Sequence, residues 1–271
     1  MAPLTRLRIL GLVLLTTFVT AASAAGGAAG TPATAATPSG DARPVAAVPL
    51  PLRLPDLGDA SQVVIVTADG WRTTRARLQA WQLGSDGTWQ RVLGPFPARL
   101  GWNGFVPGTE RIQSSGETPA GTYRMLSGFG RAAPPVNVKL PYRVVRPGMW
   151  WPYDPRNPRT YNVMQWHRAS DAHWRTSWAE HLIDYRVQYR YAVVLDYNLP
   201  GAVTRTASGL RVTAQPADTR RGGGIFLHVN GKGPTAGCVS TSSRMMRLLL
   251  RWIDPQAHPV IAMGPRDWLL S

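Results

Sequence analysis

A single cysteine, Cys238, occurs in the chain, and His228 stands ten residues before it. A thiol and an imidazole brought together make a nucleophile and its base, the pair needed for acyl transfer through a thioester. The segment from Ile225 to Ser240 reads I-F-L-H-V-N-G-K-G-P-T-A-G-C-V-S. Alternation along Ile225–Val229 puts Ile225, Leu227 and Val229 on one strand face, with Phe226 and His228 on the other. The apolar face can then be buried while the histidine looks into a cleft. Gly231, Gly233, Pro234 and Gly237 force a loop that ends at Cys238. A glycine beside the cysteine lets a ligand approach the backbone, whose N–H groups can face an oxyanion. Taken singly, a lone cysteine is usually a small buried hydrophobe and a lone strand histidine a structural one. Here the cysteine is flanked by a Gly/Pro loop rather than by core residues. With no second cysteine, it also has no internal disulfide partner.

The elements that must position this pair are read from the rest of the chain. At 271 residues, 44% apolar, there is room for one sizeable domain with a real core, and the 27 Gly and 24 Pro suit a loop-rich β architecture. Residues 1–24 read as a secretory leader: Arg6 and Arg8, a short apolar run from Ile9 to Val19, then Ala22-Ser23-Ala24. Export to the cell exterior or the cell wall is the expected destination, with membrane contact only through this leader. Residues 25–58 are rich in Ala, Pro and Gly and read as a disordered linker, with polyproline character from Pro44 to Pro55. The folded domain is expected over 59–271.

The formal charge is +15, and all but two of the 30 basic residues are arginine. No nucleic-acid-binding motif accompanies them. Anionic cell-wall polymers are the expected electrostatic partner, against the plainer alternative of a merely solubilising surface. Strands are expected at Gln62–Thr67, Arg77–Leu83, Trp89–Val92, Thr122–Leu126, Tyr191–Asn198 and His258–Met263. One helix follows the cysteine, capped by Ser242. Met245, Leu248, Leu249 and Trp252 form its buried stripe, and Asp254-Pro255 ends it. Its positive end could lower the thiol pKa. Residues 147–185 form a long, irregular, aromatic-rich insertion. His167, His173 and His181 within it lack helical ligand spacing, so no metal and no other cofactor is expected.

The order His228, then Thr235-Ala236-Gly237-Cys238, together with Thr118-Pro119-Ala120-Gly121-Thr122-Tyr123, resembles the two motifs of the L,D-transpeptidase (YkuD-like) catalytic domain in a secreted actinobacterial-type branch. The resemblance covers roughly Ser61 to the C-terminus. It implies a mainly β, sandwich-like catalytic domain acting on peptidoglycan stem peptides in cell wall biogenesis and cell shape; a monomer is the expected state. By this resemblance Cys238 is the nucleophile and His228 the base, oriented by a backbone carbonyl. The backbone N–H groups of Gly237 and Cys238 form the oxyanion hole. Thr235, Asn230, Ser240 and Arg244 are candidate substrate-binding residues.

Three departures from the family pattern stand out. Thr235 replaces a serine, Val229 replaces a glycine, and Ser240 occupies a position that often carries arginine. Arg244, Arg220 and Arg221 are the candidates to replace that arginine. The competing functions are an L,D-carboxypeptidase with water as acceptor, a catalytically weak wall-binding protein of the same fold, and a metal-dependent amidase built on the insertion's histidines.

Overall fold

The structure, a computed structural model, describes residues 48–55 and 57–271. The expected leader and most of the expected linker lie outside the described residues. The linker's last part does not: Leu50–Arg53 form a 3-10 turn. Leu50, Leu54 and Leu57 pack against Ala60, Val63, Ile65, Val260, Ala262 and Leu269. Packed chain therefore begins before Asp59, because three leucines spaced along the Pro-rich stretch find a shared apolar patch.

The strands are β1 (Gln62–Ala68), β2 (Arg75–Leu83), β3 (Trp89–Arg99), β4 (Phe105–Pro107), β5 (Thr118–Gly130), β6 (Tyr142–Val144), β7 (Met149–Pro152), β8 (Gln165–Trp166), β9 (Ala179–His181), β10 (Ala192–Leu195), β11 (Val203–Arg205), β12 (Arg211–Thr213), β13 (Phe226–Val229), β14 (Val239–Thr241) and β15 (Val260–Pro265). Two helices, α1 (Ser243–Trp252) and α2 (Arg266–Leu269), lie near the C-terminus. The main sheet runs β10-β13-β14-β3-β2-β1-β15-β5-β4, and β10 also pairs with β5. That extra pairing closes the sheet on itself, so the sandwich-like domain has a continuous wall and few free edges.

Alternation decides what each wall strand buries. Tyr191, Val193, Leu195, Ile225, Leu227, Val229 and Val239 belong to the main core cluster. Ala192, Val194, Phe226 and Cys238 point the other way, into a second cluster with Trp151, Leu182 and Tyr189 of the 147–190 region. The insertion thus covers the outer face of β10 and β13. It is more regular than its sequence suggests: β7 pairs with both β8 and β9 in a small three-stranded sheet. Half of its eight Trp and Tyr side chains are core, Trp150, Trp151, Tyr161 and Trp174 being buried, while Tyr153, Trp178 and Tyr185 are half-buried and Trp166 is exposed.

Helix α1 begins as expected, the Ser242 side chain accepting from the Met245 N–H. Its buried face is Met245, Met246, Leu249 and Leu250, continued by Ile253. Leu248 and Trp252, expected in the stripe, lie at its half-buried margin, since adjacent apolar residues widen the face beyond a strict i, i+3, i+4 pattern. Strand β5 starts at Thr118, four residues before the strand expected at Thr122. The last strand starts at Val260, because His258 takes a left-handed conformation (φ 46°) after a 3-10 turn. No helix among the described residues is long and apolar enough to cross a membrane.

Candidate active site

Strands β13 and β14 run parallel, pairing Leu227 with Val239 and His228 with Ser240. Leu227 and Val239 face the core, so Cys238, one residue before Val239, faces outward on the same side as Phe226 and His228. The two reactive residues are diagonal neighbours on one sheet face. Both line a cleft of about 240 Å³ between that wall and the insertion. Glu180, Tyr185, Gln188 and Tyr189 form the roof, and the Gly231–Ala236 loop forms the rim.

His228 is buried. Its Nδ1 lies 2.8 Å from the carbonyl oxygen of Val229. A carbonyl only accepts, so Nδ1 carries the hydrogen and Nε2 keeps its lone pair. The backbone therefore sets the tautomer a general base needs, with no third side chain. Burial pushes the imidazole pKa down to about 4, against a small upward effect of the Val229 hydrogen bond. It is neutral at neutral pH.

The Cys238 thiol donates to the Gly224 carbonyl oxygen (3.2 Å), and its sulfur accepts from the Phe226 N–H (3.3 Å). Burial pushes its pKa up to about 12, the Glu180 carboxyl adds to the rise, and the Phe226 N–H and Arg111 oppose it. The resting pair is thus thiol and neutral imidazole. Helix α1 does not activate the sulfur directly, because β14 separates its start from Cys238.

The loop is held at both ends by arginines distant in sequence. Arg99 Nη1 donates to Gly231 O (2.8 Å) and Gly233 O (3.2 Å). Thr235 is stitched to the end of β3 by Thr235 N to Leu100 O (2.8 Å) and Trp102 N to Thr235 O (3.0 Å). Behind the cysteine, Arg111 is only 4% exposed. Its guanidinium donates to Glu117 O (2.7 Å), Arg221 O (2.8 Å) and Ala236 O (3.5 Å). Arg111 thereby ties the cysteine turn to Glu117, directly before the Thr118–Tyr123 motif. That motif is anchored in turn by Thr118 Oγ1, which accepts from the Gly101 N–H (2.8 Å). Gly237 must be glycine here: its φ is +136°, and a Cβ would sit 2.8 Å from Arg111 Nη2 and from Glu117 O.

Other expected site residues fall elsewhere. Thr235 lines the cleft, but its hydroxyl braces the turn, donating to Cys238 O (2.6 Å) and accepting from the Gly237 N–H (3.1 Å). The Gly237 N–H is therefore already engaged, which leaves the Cys238 N–H as the free donor of the expected pair, with no partner among the described residues. Ser240 is fully buried and donates to Asn230 Oδ1 (2.9 Å), because pairing with His228 places it inside the wall. Neither residue lines the cleft, and Arg244 sits on the exposed face of α1.

The three candidates for the missing arginine are engaged elsewhere or remote. Arg220 pairs with Asp218, Arg221 donates to Gly108 O (2.6 Å), and Arg244 is away from the loop. Arg111 does that bracing, and nothing in the sequence distinguishes it from the other arginines. Glu180 was missed as well. Its one signal is scarcity, since the chain has only two other glutamates, Glu110 and Glu117. The insertion's histidines do not converge. The rings of His167 and His173 are 6.4 Å apart, while His181 stacks on Trp150 and meets Asp184 at 3.0 Å. Among the described residues no three His, Cys, Asp or Glu are placed to hold a metal ion.

No curated protein and no solved structure matches the chain significantly. A comparison with protein-family models matches residues 73–261 to YkuD, described as the L,D-transpeptidase catalytic domain.

Proposed function

Because the chain belongs to the YkuD family of L,D-transpeptidase catalytic domains, which act on peptidoglycan stem peptides, we propose that it is an exported enzyme that forms 3-3 cross-links in the cell wall through an acyl-enzyme on Cys238. The observation that carries this reading is the shared cleft of Cys238 and His228, with His228 Nδ1 committed to Val229 O.

The thiol turns from Gly224 O toward the imidazole and gives its proton to Nε2 as sulfur attacks the carbonyl after the stem's diamino acid. The Cys238 N–H faces the developing oxyanion. The C–N bond breaks, the imidazolium returns the proton to the departing D-alanine amine, and a thioester remains. The side-chain amine of a second stem then attacks the thioester carbon and loses its proton to Nε2. The C–S bond breaks, and the thiolate recovers that proton. Both pKa values fit this order, since a neutral imidazole is always available and the thiolate arises only during attack.

The test is intact mass after incubation with a carbapenem, an acylating mimic of the donor. A single adduct is expected on the wild type and none on Cys238→Ala. An unmodified wild-type mass would overturn the reading and favour a wall-binding protein of the same fold.

A further inference from the structure

Glu180 has no part in the reaction as written, yet it stands in the roof of the same cleft. It lies on β9 and accepts a hydrogen bond from the Tyr189 hydroxyl. The Tyr189 ring meets His228 edge-on, with centroids 5.6 Å apart at 89°. The carboxyl, the phenol and the catalytic imidazole are therefore contiguous. In a chain carrying 30 basic residues, no basic side chain among the described residues pairs with Glu180. Its charge also works against the first chemical step, because it helps to hold the Cys238 thiol protonated. A carboxylate retained beside a thiol that must ionise calls for another partner.

We propose that Glu180 is the cleft's subsite for a cationic amine, pairing with the ammonium group of a diamino side chain on a stem peptide. The identity of that ligand rests on the L,D-transpeptidase reading; the cation preference itself does not. Tyr189 occupies one acceptor direction of the carboxyl and leaves others for N–H donors. Tyr185, half-buried, lines the same cleft beside Tyr189. A neutral side chain of equal length would leave the carboxylate desolvated and unpaired, so the site rejects it.

The groups facing Glu180 are Tyr153, Tyr185 and Tyr189 of the insertion region, Cys238 and His228 of the wall, and Lys232 on the rim. Burial raises the empty Glu180 carboxyl to about 7, the Tyr189 hydrogen bond opposing the rise. The preference for a cation is thus present at pH 8 and lost on acidification, as the carboxyl takes up a proton.

The experiment is equilibrium titration of the protein with Nα-acetyl-lysine amide and with its neutral 2-aminoheptanoic acid counterpart of equal side-chain length, which needs no turnover. At pH 8 the lysine probe is expected to bind at least about tenfold tighter to wild type, one ion pair being worth that much in a half-buried site. Glu180→Gln, whose amide oxygen still accepts from Tyr189, should remove the preference, and Glu180→Asp should restore part of it. Removal at pH 5.5 should match Glu180→Gln. An equal preference in wild type and Glu180→Gln, or none in wild type, overturns the proposal. Repeating the titration on carbapenem-acylated protein locates the amine: retained binding assigns the acceptor stem, and lost binding assigns the donor stem. Failure to acylate would defeat the proposed function, while the unacylated titration would still decide the subsite.

Discussion

His228 and Glu180 titrate in opposite senses, and the pH dependence of stability exposes both. The histidine pKa is about 4 folded against 6.5 unfolded, so the unfolded chain binds more protons in that window. Its contribution is present above 6.5 and is lost as pH falls toward 4, on the order of 3 kcal/mol in all. Glu180 is raised from 4.5 to about 7, so the folded chain binds more protons there and stability is lost as pH rises through that range. The two slopes offset each other between about 4.5 and 6.5. Relative to wild type, His228→Gln is expected to tilt the melting temperature downward with rising pH between about 4.5 and 6.5, and Glu180→Gln to tilt it upward over the same range. Melts of both variants across that range decide the point, and parallel profiles in wild type and both variants would refute it. The shared face of Cys238 and His228 was legible in the sequence because alternation and a Gly-rich turn are local signals. Glu180 was not, since its approach depends on how a long insertion folds back.

At the scale of elements, the cysteine turn is rigid because Arg111 and Arg99 hold its two ends. Arg111→Ala removes the three carbonyl hydrogen bonds of a buried guanidinium, and a loss of about 2–4 kcal/mol is expected by denaturant titration. Acylation should slow by about tenfold or more, as the turn that presents the Cys238 N–H loosens. Arg111→Lys, which cannot span three carbonyls in a plane, should recover less than half of the stability. Full stability in Arg111→Ala would show that the turn stands on Thr235 alone. Strand β1 was readable as an unbroken apolar run, and β2 and helix α1 from periodicity over seven or more residues. β7, β8 and β9, at two to four residues each, are too short to show any period. Bracing by a buried arginine leaves no local trace either, because its partners are backbone carbonyls, which every residue has.

Over the whole molecule, closure of the wall depends on β15, which pairs in parallel with β1 and antiparallel with β5. The leucines at 50, 54 and 57 cover the outside of that seam together with Leu269 of α2. A chain beginning at Ala60 should therefore melt about 2–6 °C below one beginning at Val48, a loss of roughly 1–2 kcal/mol for three partly buried leucines. An unchanged melting temperature would mean that the seam needs no cover. The charge of +15 belongs to this scale too. Cys238→Ala should still bind isolated sacculi, with binding falling steeply from 50 to 500 mM salt as screening grows. Salt-independent binding would point instead to recognition in the cleft. Strand content was legible from composition and pattern, but the β10–β5 closure joins segments some 65 residues apart and has no local signature.

The hydrogen bond from the Cys238 thiol to Gly224 O has a further consequence, for durability. Peroxide and alkylating agents attack the thiolate, and oxidation of a lone cysteine past the sulfenic stage is not reversed without dedicated repair. With no second cysteine in the chain, a sulfenic acid here has no internal thiol to resolve it. A sulfur held protonated and bonded to Gly224 O is shielded from these reagents for as long as that hydrogen bond stays closed.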